Sequence, residues 1–253
     1  MRLATKAPAT PVALARTLGL AELFRGSPPC ELGHSQMTSF DGSDREVEEI
    51  LEAGNVALRR DDFRAAEHAF REALALRPWS AVLTYNLALA LQHQGRLVEA
   101  IGYYDRALDR DPTDYWGFIN RGRAYCDLED YRQALDDFAA AIAIDPSIPS
   151  AHFNRGYALD SLGEHEGALV AYDRSIALRP DDAAAWFNRA MACAALQRHH
   201  EAIAALDRAI ALDPMDPDSY ELRASEYSDI GNVEQAARDR QMLAALRGSE
   251  GEA

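Results

Sequence analysis

The sequence predicts an all-α fold made of about six consecutive helix-turn-helix repeats, and three periodic features carry this prediction. A proline recurs every 34 residues, at Pro78, Pro112, Pro146, Pro180 and Pro214. Small residues recur at two other positions of the same period, and glycines recur at a third. A helix-breaking residue at a constant interval indicates that one supersecondary unit has been repeated along the chain.

Placing each proline at position 32 of the period aligns six units, which are 47–80, 81–114, 115–148, 149–182, 183–216 and 217–250. Position 8 is always glycine or alanine, namely Gly54, Ala88, Gly122, Gly156, Ala190 and Ala224. Position 20 is always alanine, namely Ala66, Ala100, Ala134, Ala168, Ala202 and Ala236. Small residues let two antiparallel helices pack closely, and large residues at position 24 are expected to fill the space beside them.

Each unit is predicted to contain a first helix, a tight turn and a second helix. Glycine recurs at position 15, where the first helix must end and the chain must turn. These glycines are Gly95, Gly163 and Gly231. Short polar residues near the end of each period can cap the following first helix. These are Ser80, Asp114, Ser147, Asp182 and Asp216.

Both ends of the chain depart from the repeat. The sixth unit has Gly248 in place of proline, and its second helix, from about Val233 to Arg247, is expected to act as a polar cap. Residues 1–46 are predicted to be either a disordered leader or translated upstream sequence, with Met37 as the true start in the second case. Residues 251–253 are predicted to be a frayed tail.

These units resemble the tetratricopeptide repeat (TPR) family. The third unit matches the family pattern most fully, through Phe118, Gly122, Tyr125, Ala134, Phe138 and Pro146. The fifth unit has Trp186 at the leading aromatic position. The resemblance covers residues 47–248 and implies a right-handed α-solenoid, formed by residues 47–250, in which the first helices line a concave groove.

The resemblance further implies that positions 2, 5, 6, 9, 12 and 13 point towards this groove. Position 6 is asparagine in four consecutive units, at Asn86, Asn120, Asn154 and Asn188. An asparagine amide both donates and accepts, so a row of them can pair with the backbone of an extended peptide. The alternative is that each amide bonds locally to the neighbouring repeat.

Large side chains are expected on the same face, at Tyr85, Trp116, Ile119, Phe153, Tyr157, Phe187 and Met191. A contiguous apolar set on a groove wall would mark an interaction surface. The alternative is that several of these side chains pack into the core between adjacent repeats. Arg123 occupies the middle of the expected groove, where it either meets a carboxylate of the ligand or is solvated.

Position 7 departs from the leucine of the family. It is arginine in four units, at Arg121, Arg155, Arg189 and Arg223. Sixteen residues before three of these arginines lie Asp105, Asp173 and Asp207, whereas Ala139 takes this place before Arg155. We therefore expect a ladder of Arg–Asp ion pairs between neighbouring repeats, with a structural role.

Composition excludes several classes of function. The chain has 26 basic and 41 acidic residues, giving a net charge of −15, so a nucleic-acid partner is not expected. No apolar run is long enough to span a membrane. The three cysteines lack paired spacing, which fits a reducing compartment. Because no signal peptide is recognisable, a cytoplasmic location is predicted by default.

The sequence also lacks recognisable catalytic chemistry. The seven histidines show no metal-ligand spacing with carboxylates or thiols, and His165 and His199, which share position 17, are expected to pack at the turn. No phosphate-binding loop or nucleophile motif occurs. No catalytic residue, cofactor or metal is therefore expected. The cations of the clamp that grips chaperone C-termini are also missing, which argues against that partner.

These observations predict a non-enzymatic protein–protein interaction module that binds a peptide or protein partner, of unknown identity, in its concave groove. Two alternatives remain open at this point. One is a structural assembly factor that acts through the convex face or by end-to-end stacking. The other is the regulatory subunit of an enzyme formed by another chain.

Overall fold

The computed structural model of the protein describes residues 42–249. All secondary-structure elements within these residues are helices, which confirms the predicted all-α repeat class. Most of the predicted leader and the predicted tail fall outside the described residues. The first described helix begins at Gly42, so residues 42–46, which were assigned to the leader, are helical.

The described residues form two compact units, each with three helix pairs. The N-terminal unit (residues 42–146) contains α1 (Gly42–Arg59), α2 (Phe63–Leu76), α3 (Ala81–His93), α4 (Leu97–Leu108), α5 (Tyr115–Asp127) and α6 (Tyr131–Ile144). The C-terminal unit (residues 147–249) contains α7 (Pro149–Ser161), α8 (His165–Leu178), α9 (Ala183–Ala195), α10 (His199–Leu212), α11 (Pro217–Asp229) and α12 (Val233–Ser249).

The two helices of a pair meet where position 8 of the first faces position 24 of the second. A Cβ atom added to Gly122 would lie only 2.6 Å from a ring carbon of Phe138, and the same holds for Gly156 and Tyr172. In the first five repeats the side chains at position 24 are completely buried, namely Phe70, Tyr104, Phe138, Tyr172 and Leu206. In the sixth repeat this position is Arg240, which is exposed. The expected close approach of small and large residues is therefore confirmed.

Every turn between the helices of a pair uses a left-handed backbone conformation at position 15. Gly95, Gly163 and Gly231 have φ values of 74°, 79° and 76°. The other three repeats place a residue with a side chain in the same conformation, with φ values of 57°, 62° and 58° at Asp61, Glu129 and Gln197. The turn geometry is thus common to all six pairs, whether or not glycine is present to relieve the steric strain.

Helix capping follows the prediction at three of the five residues. Ser80 and Asp182 accept hydrogen bonds from backbone amides in the first turns of α3 and α9, and Asp216 does so for α11. Asp114 occupies the N-cap position of α5 but makes no side-chain capping hydrogen bond. In the fourth repeat, Ile148 rather than Ser147 occupies the N-cap position, and Pro149 follows as the first helical residue. Proline suits this place because its fixed φ matches the helix and its missing N–H has no intrahelical partner there.

The predicted ladder of Arg–Asp pairs is present in both units. Arg121 Nη1 lies 2.7 Å from Asp105 Oδ1 in the N-terminal unit. In the C-terminal unit, Arg189 Nε lies 2.7 Å from Asp173 Oδ1. Arg223 Nη1 lies at the same distance from Asp207 Oδ1. Each pair joins the second helix of one repeat to the first helix of the next.

Two of these arginines make a second ion pair that the sequence analysis did not predict. Arg121 also donates to both carboxylate oxygens of Asp137, at 2.9 and 2.5 Å, and Arg223 does the same to Asp239, at 2.8 and 2.7 Å. Asp137 and Asp239 lie on the second helix of the arginine's own repeat and are buried. Arg155, which has no ladder aspartate in sequence, is exposed.

We predict that Asp137→Ala destabilises the protein far more than Asp105→Ala, although both remove a partner of Arg121. Asp137 is 5% exposed and accepts two charge-assisted hydrogen bonds, so its loss is expected to cost about 1.5–3 kcal/mol. Asp105 is half exposed, and its loss is expected to cost about 1 kcal/mol or less. Urea unfolding of the two variants provides the measurement, and equal losses would contradict the prediction.

We also predict that Gln197→Gly stabilises the C-terminal unit, because glycine relieves the left-handed strain at position 15. The expected gain is up to about 1 kcal/mol in the free energy of unfolding. Gly163→Ala, at the same position of the preceding repeat, is the matched control and should destabilise by about 1–2 kcal/mol. Thermal unfolding measures both, and a lower melting temperature for Gln197→Gly would refute the explanation.

Candidate functional site

A chain of buried polar side chains joins the first helices of the N-terminal unit. Asn86 Nδ2 on α3 donates to Asn55 Oδ1 on α1 at 3.3 Å. Asn120 Nδ2 on α5 donates to the hydroxyl of Tyr85 on α3 at 2.7 Å. Arg123 Nη1 donates in turn to Asn120 Oδ1 at 3.1 Å. Neighbouring repeats are therefore linked through the columns that were predicted to contact a ligand.

This arrangement corrects the expectation of an amide ladder presented to a peptide. Asn86 and Asn120 are completely buried, and the bonds just described are local, which is the alternative that the sequence left open. Two contributors to this chain of polar side chains lie outside the asparagine column. Asn55 belongs to position 9 rather than position 6, and Tyr85, grouped with the apolar side chains, uses its hydroxyl as an acceptor.

The two asparagines of the C-terminal unit are buried as well. Asn188 Nδ2 donates to the carbonyl oxygen of Ala184, one turn earlier in α9, at 2.9 Å. Asn154 on α7 is 5% exposed. The four asparagines share one position of the repeat, but Asn188 makes a different contact from Asn86 and Asn120. Their common spacing therefore does not produce one common bonding pattern.

Most of the large side chains expected on the binding face belong to the core. Tyr85, Ile119, Phe153, Phe187 and Met191 are all buried. The ring of Tyr85 meets Tyr104 on α4 edge-on at 5.8 Å, and Phe153 lies at the same distance from Tyr172 on α8. For these residues, packing between helices is the observed arrangement.

Trp116 and Tyr157 are the members of the predicted set that stay partly exposed. Trp116 packs against the core of the N-terminal unit, with its ring centroid 5.5 Å from that of Tyr115. On α5, Asn120 and Arg123 follow Trp116 by four and seven residues, so the three side chains share one helix face. On α7, Tyr157 follows Phe153 by four residues and shares its face in the same way.

Two histidines that were expected only to pack at turns form polar contacts instead. His165 Nδ1 lies 2.6 Å from Asp160 Oδ1, within the same repeat. His199 Nδ1 lies 2.9 Å from Glu226 Oε2, on the first helix of the following repeat. Burial raises the pKa of Glu226 above its usual value, and the hydrogen bond with His199 opposes this rise.

The structure also brings Asp229 near His199 and Glu226. The spacing of these residues in the sequence did not indicate the cluster, because the three groups come from two helices. His199 and Glu226 are 27 residues apart, a separation that matches no local metal-binding motif. Only the packing of α10 against α11 creates the cluster.

The tetratricopeptide repeat family model matches residues 51–115, 119–181 and 161–217. The chain belongs to the tetratricopeptide repeat family. Members of this family are generally protein–protein interaction modules without catalytic activity.

Individual relatives support the same family. The chain is 28% identical, over 143 residues, to the DnaJ homolog subfamily C member 7 homolog of Dictyostelium discoideum, and the match covers 51% of this chain and 26% of that protein. It therefore spans about a quarter of the length of this relative.

Solved structures show the same fold. PilF of Pseudomonas aeruginosa superposes with a TM-score of 0.72 at 19% identity, covering 81% of this chain and 94% of PilF. YrrB, described as a TPR protein with an unusual peptide-binding site, gives a TM-score of 0.62 at 24% identity, covering 72% of this chain and 94% of YrrB.

No helix within residues 42–249 combines the length and the apolar character needed to cross a bilayer.

We predict that Asn120 and Tyr85 are energetically coupled, because their hydrogen bond is buried between two repeats. Asn120→Ala and Tyr85→Phe should each destabilise the protein, by about 1–2 kcal/mol. The double variant should lose less than the sum, by about 1 kcal/mol. A double-mutant cycle in urea measures this coupling, and additive losses would contradict a structural role for the bond.

Proposed function

We propose that this TPR protein is a non-enzymatic scaffold that binds a peptide segment of a partner protein along its first helices. The observation that carries the proposal is the partial exposure of Trp116 and Tyr157, one in each unit, on helix faces otherwise occupied by buried side chains. A large aromatic ring at the edge of a packed surface offers a ligand apolar contact area without a large loss of side-chain entropy.

The neighbours of these two rings support the proposal. Asn120 and Arg123, on the face of Trp116, are buried and hydrogen-bonded to each other. Phe153, on the face of Tyr157, is buried as well. Each ring therefore lies beside side chains that are already ordered, and the exposed part of the ring is what a ligand would contact.

The comparisons agree with binding of a peptide without identifying it. YrrB, which is described as having a peptide-binding site, shares the fold of this chain. A match of 40% identity over 53 residues to a tetratricopeptide repeat and J domain-containing co-chaperone of Fusarium oxysporum suggests a chaperone as one class of partner. The first helices lack the lysines and arginines of the chaperone clamp, with Leu51, Asn55 and Trp116 among the residues at its positions. We therefore favour a different peptide.

A second candidate function rests on the second helices, which carry exposed valines. Val98, Val170 and Val233 are 74%, 70% and 71% exposed. Exposed apolar side chains on the second helices favour the alternative of an assembly factor that contacts its partners away from the first helices. Val98 lies in the N-terminal unit and the other two in the C-terminal unit, so the two candidate surfaces can be altered separately in each unit.

We predict that Trp116→Ala and Tyr157→Ala each weaken partner binding at least about tenfold, because large aromatic side chains carry much of the energy of such interfaces. Partners are first captured from cells of the native organism and identified by mass spectrometry. Binding of the interacting segment is then measured by titration calorimetry against the wild-type chain and each variant.

Two sets of controls separate the candidate functions. Trp79→Ala removes a tryptophan that is 82% exposed in the turn between α2 and α3, and it should leave binding unchanged. Val98→Ser and Val170→Ser alter the second helices and should also leave binding unchanged. If the valine variants lose the partner while Trp116→Ala and Tyr157→Ala retain it, the proposal is wrong and the assembly alternative gains support.

A further inference from the structure

The cluster of His199, Glu226 and Asp229 shares no residue with the proposed binding surface. His199 is the first residue of α10, and the two acidic residues lie in the last turn of α11. One imidazole nitrogen and one oxygen from each carboxylate all lie within 4.8 Å of one another. Among the residues that the structure describes, this is the one such group of three or more potential metal ligands.

We propose that His199, Glu226 and Asp229 form a binding site for a divalent transition-metal ion, with Zn²⁺ as the best-suited ion. One imidazole and two carboxylates are donors that zinc accepts, and three protein ligands leave its fourth position for a water molecule. The site would join the second helix of the fifth repeat to the first helix of the sixth.

The geometry needs only a small adjustment to hold the ion. With metal–ligand bonds of about 2.1 Å in a tetrahedron, ligand atoms lie about 3.4 Å apart. His199 Nδ1 and Glu226 Oε2 are 2.9 Å apart and would separate slightly. Asp229 is exposed, so its side chain can rotate towards the ion without disturbing the core.

The local charges also favour a cation. Glu226 and Asp229 lie at the C-terminal end of α11, where the helix dipole already places negative charge. A single ion pair with His199 would need only one carboxylate. The second carboxylate adds unfavourable negative charge that a bound divalent ion would offset. The cation next in sequence, Arg198, is engaged with Glu166 at 2.5 Å.

The preceding repeat supplies a natural comparison. His165 occupies the same position as His199 and also contacts a buried carboxylate, that of Asp160, at 2.6 Å. The residues equivalent to Glu226 and Asp229 are Ala192 and Ala195, so no further carboxylate is supplied from the next repeat. His165 and Asp160 therefore form a histidine–carboxylate pair without a third ligand, and this pair serves as a comparison within the same unit.

The test titrates Zn²⁺ into the full chain, free of any histidine tag and previously treated with EDTA, by calorimetry and thermal unfolding. At a free Zn²⁺ concentration of about one hundred times the Kd, the melting temperature should rise by about 5–10 °C. Asp229→Asn should leave the metal-free melting temperature within about 2 °C of wild type, since Asp229 is exposed and the His199–Glu226 contact remains. The same variant should weaken Zn²⁺ binding at least about tenfold.

His165→Gln is the matched control and should leave the Kd for Zn²⁺ unchanged. The proposal is overturned if Zn²⁺ does not raise the melting temperature of the wild-type chain. It is also overturned if Asp229→Asn binds Zn²⁺ as tightly as wild type, or if His165→Gln weakens binding as much as Asp229→Asn, because the ion would then be held elsewhere.

Discussion

Each of the first five repeats depends on the contact between a small residue on its first helix and a large buried side chain on its second. At Gly54, Gly122 and Gly156 the facing aromatic ring lies so close that even a Cβ atom would overlap it. This approach buries the ring completely and fixes the distance and angle between the two helices. The other contacts between the helices can form only once this spacing is set.

The Arg–Asp ladder is an example of such a dependent contact. A guanidinium at position 7 reaches the aspartate of the preceding repeat because every repeat places its helices in the same way. In the third and sixth repeats the same arginine is also held by a buried aspartate of its own repeat. Charged groups at this depth are tolerated because their hydrogen bonds are satisfied on both sides.

The polar contacts between first helices also depend on the distance between helices, but they do not repeat regularly from one repeat to the next. Asn86 and Asn120 share one column, but one meets an asparagine and the other a tyrosine hydroxyl. Asn188, in the same column, bonds within its own helix. A column of identical residues thus indicated that the position faces neighbouring first helices. The hydrogen-bond partner of each amide, however, depends on which residue of the next helix lies beside it. The cluster at His199 has the same origin, since its ligands come from two helices of different repeats.

The sequence by itself determined the period, the helix pairs, the turns at position 15 and three pairs of the Arg–Asp ladder. These features repeat every 34 residues, and a repeated pattern shows in sequence which positions are constrained. Only the tertiary structure decided which side chains are buried, so that Tyr85 and Phe153 belong to the core while Trp116 and Tyr157 stay partly exposed. It also decided that His199 meets Glu226 and Asp229. The physical reason is that burial and side-chain partners depend on distances between helices. These distances cannot be read from the spacing of residues along the sequence.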